Sequence, residues 1–155
     1  MNARLAAIAM TVAAVAGIAI SAYLTWVKVS GGQPYCGPIV GCETVNTSPY
    51  SEMFGIPVAV FGLAASTTIL IGVLAWWRNG SRRGLLIAYV LGLVSLPFLA
   101  YLTYLELFVI HAICVWCVSY AISVLIGWVF AAWAMTQRAS ADPQANAARI
   151  SGQRR

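Results

Sequence analysis

Charge is scarce in this chain of 155 residues: 8% are charged and only four are acidic. A water-soluble domain carries about 25% charged residues, so too few are present here to keep a polar surface in water. That shortage, set against 61% hydrophobic residues, excludes a compact soluble helical protein. Nucleic acid is excluded as a partner too, because the formal charge of +5 is not gathered into a basic patch with interleaved aromatics. The chain has no internal repeat. What it has is long apolar runs and four cysteines.

The runs extend from about Leu5 to Val27, Ile56 to Trp77, Leu85 to Ile110 and Ile113 to Met135. At about 1.5 Å per residue, each can cross a hydrocarbon core of roughly 30 Å. In lipid each must be a helix, because no water is available to satisfy a bare backbone. The expected fold is therefore all-α and integral to the membrane: a four-transmembrane-helix bundle over residues 1–136. Residues 137–155 are polar and poor in apolar side chains, and are expected to form a disordered tail. The first run exceeds the roughly 7–15 apolar residues of a signal peptide, and Tyr23, Leu24 and Trp26 suit a membrane interface better than a cleavage site.

The basic residues give an orientation. Arg4 precedes the first run, Arg78, Arg82 and Arg83 lie between the second and third, and Arg138, Arg149, Arg154 and Arg155 follow the fourth. Lys28 alone falls on the other side. The positive-inside rule predicts a multi-pass protein of the cell inner (plasma) membrane, with both termini and the middle loop cytoplasmic. The loop Lys28–Gly55 and the turn before the fourth helix then face outward. They carry Cys36, Cys42, Cys114 and Cys117, on the side where disulfides form and persist.

Cys114-Val115-Trp116-Cys117 is a C-x-x-C sequence at the start of the fourth helix. Residues three apart on a helix are neighbours, so the two sulfurs can bond without distorting the backbone. A helix N-terminus also favours a thiolate, the species that attacks a disulfide or donates electrons. Cys36 and Cys42 enclose Gly37, Pro38 and Gly41, residues suited to a tight, adaptable turn. In the chain-entropy model, closing so small a loop is worth only roughly 2–2.5 kcal/mol, little for a structural staple in a protein already held by lipid. A short, mobile, exposed disulfide is instead what a redox shuttle needs. Two structural disulfides remain an alternative at this point. A zinc site built from the four thiols, or with His111, fits poorly, since the five-residue gap exceeds the usual spacing of about two to four. Tyr35-Cys36-Gly37-Pro38 looks like a thioredoxin active site, but Ile39 follows and no βαβ pattern surrounds it.

Several motifs together carry a family resemblance. Ser48 stands six residues after the second loop cysteine, and Phe54-Gly55-Ile56-Pro57 opens the second helix. Tyr101-Leu102 and Tyr104-Leu105-Glu106 lie in the third helix, and C-x-x-C starts the fourth. From about Val12 to Ala134 the chain resembles the vitamin K epoxide reductase (VKOR) family, specifically its bacterial homologues. The Dsb-type quinone-linked oxidases place C-x-x-C in the first outward loop, the reverse of the order here.

The resemblance implies a thiol:quinone oxidoreductase that reoxidises a thioredoxin-like (DsbA-like) partner, acting in trans because no fused thioredoxin-like domain follows the last helix. Electrons would pass from Cys36/Cys42 to Cys114/Cys117, and then to menaquinone, ubiquinone or a vitamin K-like quinone. It also implies quinone-site roles for Ser48, Phe54 and Leu102, and for Ser51, which falls where the animal enzymes carry an asparagine. No metal is expected.

Read without the resemblance, Ser48 and Pro49 are an N-cap and first-turn proline of a short helix over Pro49–Phe54 that caps the mouth of the bundle. Glu106 is expected at the membrane interface near Lys28 rather than as a proton relay, and His111 as a solvated residue. The competing class is a non-enzymatic tetraspan scaffold or transporter subunit with structural disulfides.

Overall fold

The computed structural model of the protein describes residues 2–36 and 41–141. Four helices are long and apolar enough to cross a membrane. They are α1 (Ala3–Val29), α3 (Val58–Asn79), α4 (Arg82–Leu105) and α5 (Val115–Ala141), with a short α2 (Cys42–Thr47) between the first two. A π-helical turn, Glu106–Ile110, prolongs α4. Each long helix packs against two neighbours, in the order α1, α3, α4, α5 and back to α1. This is the four-helix membrane bundle that the apolar runs predict.

The end of the bundle carrying the α3–α4 turn is closed by small residues. Gly80, at φ 64°, ends α3 in the left-handed conformation that glycine adopts without penalty. Its N–H donates to the Trp76 carbonyl at 2.9 Å, and Ser81 N–H reaches Ala75, so the last carbonyls of α3 are satisfied. Ser81 then caps α4, its hydroxyl accepting the Gly84 N–H at 3.2 Å. Past this turn α3 and α4 touch backbone to backbone: a Cβ on Gly72 would lie 2.6 Å from the Gly84 carbonyl oxygen. Ala6, Ala7 and Met10 of α1 meet Val73 and Trp76 of α3, Leu85 and Ala88 of α4, and Ala131 and Ala134 of α5 in a buried cluster. Lipid tails are as apolar as leucine, so close van der Waals packing of this kind is what holds membrane helices together.

The other end is irregular, and there the structure departs from expectation. No helix covers Pro49–Phe54. A single 3₁₀ turn (Pro49–Ser51) is followed by a two-stranded hairpin in which Glu52 faces Pro57 and Met53 faces Ile56. Phe54 and Gly55 have φ of 55° and 77°, the positive values that a two-residue type I′ hairpin turn demands. The short helix lies earlier, in α2. The π turn stops at His111, also left-handed at φ 55°. Helix α5 runs on through Ala141, and the rest of the expected tail, from 142, lies outside the described residues.

Candidate functional site

All four cysteines gather at the irregular end. Cys36 and Cys42 form a disulfide with their Cα atoms 6.1 Å apart. Cys114 and Cys117 are free thiols. Cys42 is fully buried and Cys114 only 2% exposed.

The break between α4 and α5 sets the helix pair. The Val118 N–H donates to the Cys114 carbonyl at 3.0 Å, which makes Cys114 the N-cap of α5. Its Sγ accepts the Cys117 N–H at 3.4 Å, in the place where a capping hydroxyl oxygen ordinarily sits. The first sulfur is thus held against the positive end of the α5 dipole, where negative charge is stabilised.

Glu106 corrects an expectation. It does not sit at the interface beside Lys28 but is buried, 5% exposed, with Oε2 accepting the backbone N–H of Cys114 at 3.1 Å. The Cys117 thiol lies beside the same carboxyl, and the Glu106 carbonyl accepts the Ala112 N–H at 3.0 Å. A carboxyl buried in a membrane bundle needs such partners, and the turn after the π segment supplies them. His111 is exposed.

Two contacts dock the loop on the N-terminus of α5. Gly41 lies so close to Ile113 that a Cβ would sit 2.7 Å from the Ile113 nitrogen; only glycine permits that approach, and it brings Cys42 to the helix end. On the other side of the loop, the Trp116 indole N–H donates to the Tyr35 carbonyl at 2.9 Å. Tyr35 N–H donates to the Tyr23 hydroxyl at 3.0 Å, and the Tyr23 ring packs on Trp116 with centroids 4.8 Å apart. Trp116, one of the two residues between the helix cysteines, therefore grips the chain next to Cys36.

Below the thiols is a cavity of about 320 Å³, walled by all four long helices. Cys114, Cys117 and Glu106 line it, with Leu102 and Phe98 from α4 and Phe61 from α3. Ser48 and Ser51 line its mouth. Their hydroxyls already donate, to the Val45 and Ser48 carbonyls respectively, each at 2.8 Å. Lys28 fastens this cap: Nζ donates to the Asn46 carbonyl at 2.7 Å and to Ser51 Oγ at 2.9 Å, and pairs with Glu52 at 3.2 Å. Phe54 is not part of the cavity. Its place in the hairpin turn leaves it 95% exposed, so the expected quinone-site role does not fit its position.

Sequence reasoning passed over Gly41 as a docking contact, Trp116 as a clamp, and Tyr120, which lines the cavity one turn past Cys117. The Tyr120 hydroxyl donates to the Gly62 carbonyl at 3.1 Å and lies 3.2 Å from Ser66 Oγ. Trp116 and Tyr35 are 81 residues apart, and a pairing at that range leaves no local signature.

A family model described as the Vitamin K epoxide reductase family matches residues 8–132. No curated protein matches the chain.

Proposed function

Because the chain belongs to the vitamin K epoxide reductase family, a family of membrane disulfide oxidoreductases, we propose that it is a quinone-linked thiol oxidoreductase. It reoxidises a thioredoxin-like protein and so supports disulfide bond formation. The observation that carries this reading is the docking of the Cys36–Cys42 disulfide on the helix end where two free thiols open into a cavity.

The cavity suits a lipid-soluble quinone. Its volume, about 320 Å³, lies at the lower end of small-molecule sites, which are mostly apolar with a few placed polar groups. Leu102, Phe98 and Phe61 supply apolar wall for a ring, and the polar rim is Ser48 and Ser51. Either serine hydroxyl can turn to a ring carbonyl only by releasing the backbone oxygen it now holds, so these two residues serve binding and the shape of the cap together.

The chain's own chemistry is thiol exchange. A partner thiolate attacks Cys36, forming a mixed disulfide and releasing Cys42 as a thiolate. Cys42 attacks Cys114 of the Cys114–Cys117 disulfide and releases Cys117. Cys36 then reclaims Cys42, the partner having left oxidised, and the helix pair is left as a dithiol. A disulfide in the loop and two free thiols at the helix end are consistent with that sequence of exchanges. A bound quinone supplies a sink for two electrons and two protons as the Cys114–Cys117 bond re-forms. The arginines between α3 and α4 support a cytoplasmic position for the Gly80 turn and an extracytoplasmic one for the cysteines.

The test uses purified protein in sealed vesicles of known sidedness, with a thioredoxin-like dithiol protein as donor. Quinone should be reduced only when the donor faces the cysteine end. Cys114→Ala and Cys117→Ala should each abolish it; in Cys117→Ala, attack of the Cys114 thiolate on the Cys36–Cys42 disulfide should release Cys36 as a thiolate and leave a Cys42–Cys114 disulfide, detectable by mass spectrometry of non-reduced peptides. Cys36 joined to Cys114 instead would exchange the roles of the loop cysteines. Absence of both links and of any quinone reduction would leave a scaffold with structural disulfides.

A further inference from the structure

Glu106 is the only buried charged side chain among the described residues, and thiol exchange alone gives it nothing to do. Ionisable groups inside membrane bundles are costly and mark proton or substrate paths. This one accepts the Cys114 N–H at 3.1 Å, lies beside the Cys117 thiol, and opens with both cysteines on the same cavity.

We propose that Glu106 is the catalytic acid–base of the site, taking the Cys117 proton as the helix pair is oxidised and releasing it to the electron acceptor in the cavity. The proposal rests on the quinone-linked reading. Oxidation of Cys114 and Cys117 breaks two S–H bonds and forms one S–S bond, so two protons must leave with two electrons. A quinone consumes both pairs on becoming a quinol. The surrounding wall is mostly apolar, and the carboxylate touching the Cys117 thiol is placed to receive the first proton. Having delivered it, the same carboxylate can accept the second, from Cys114.

A purely structural duty is the rival, since Oε2 also holds the turn before α5. Glu106→Gln separates the two, because its amide oxygen can still accept the Cys114 N–H but cannot carry a proton between thiol and acceptor. The other titratable groups lining the cavity with Glu106 are Lys28, Tyr50, Cys114, Cys117 and Tyr120; Glu43 on α2 is exposed and bonded to Gln33. None of them is altered by the substitution.

Two measurements decide. In quinone-free protein with the helix pair reduced, alkylation of Cys117 by a small electrophile, located by mass spectrometry, should follow a pH profile with a second inflection contributed by the carboxyl. Glu106→Gln should remove that inflection and Glu106→Asp should keep it. Reduction of a water-soluble short-chain quinone by saturating dithiol should fall roughly 10²-fold in Glu106→Gln and be recovered in part by Glu106→Asp. A wild-type profile lacking the carboxyl inflection overturns the proposal, even if Glu106→Gln fails to fold. Wild-type turnover in Glu106→Gln overturns it as well. If the wild-type protein reduces no quinone, the quinone-linked reading fails instead, and the alkylation profile still decides whether the carboxyl and the thiol share a proton.

Discussion

At the end of the bundle that carries the Gly80 turn, Gly72 and Gly84 let α3 and α4 meet backbone to backbone, and alanines close the centre. At the cysteine end the same helices stand apart around about 320 Å³ of space. The first end has one left-handed residue, Gly80; the second has Gly31, Phe54, Gly55 and His111. A non-glycine residue at positive φ costs of order 1 kcal/mol or more and persists only where its surroundings over-determine it. The difference assigns the two ends different work. One supplies the packing that keeps four helices together in lipid, and that packing allows the other to hold a cavity, interrupted helices and a docked loop.

The sharpest way to break this division is Gly41→Ala. The added methyl drives against the Ile113 backbone, so the loop must lift from α5, and misplacing reacting groups by about 1 Å can cost roughly 10²-fold in rate. Dithiol-driven quinone reduction should fall by about that factor, with resistance to denaturing detergent unchanged; an equal loss of both would mean that docking also holds the bundle. Gly84→Val is the converse. It forces a branched side chain into the α3–α4 contact, and overpacking of this kind costs about 1–3 kcal/mol. Stability against detergent, read by loss of helicity, should drop while turnover per folded molecule stays normal. Lys28→Met should give the smallest change. The Glu52 carboxylate is nearly half exposed, so the ion pair adds little, and the loss is chiefly that of two hydrogen bonds, about 1 kcal/mol net. Amide exchange across residues 46–53 should quicken about fivefold, with the α3–α4 contact untouched; faster exchange there too would mean that the cap and the bundle open as one unit.

The sequence made some of these features easy to read and others impossible. Four spans were legible because lipid allows a long apolar segment only one conformation, and helical spacing placed Cys114 and Cys117 as neighbours on one turn, where they stand as free thiols. The cap was misread because Ser48-Pro49 does begin a turn, yet Phe54-Gly55 reverses the chain before a helix can form. Glu106 was misplaced for a different reason. In an uninterrupted helix its side chain belongs to the interface; the π turn and the left-handed His111 bring the chain back so that Cys114 lies over the carboxyl. Nothing local in Glu106-Leu107-Phe108-Val109-Ile110 announces that return, because tertiary contacts impose it. The Gly41–Ile113 approach is likewise invisible before folding, as the glycine reads equally well as a turn residue.

The complete burial of Cys42 beside a partly exposed Cys36 insulates the path. Disulfide exchange depends on which sulfur the incoming thiolate can reach. With the loop docked, a thiol arriving from solvent meets Cys36 alone, while the sulfur that leads inward is sealed from small ambient thiols. On the proposed route the pair is a shielded terminal with one external contact, and stray reductants would reach the helix cysteines only by first lifting the loop.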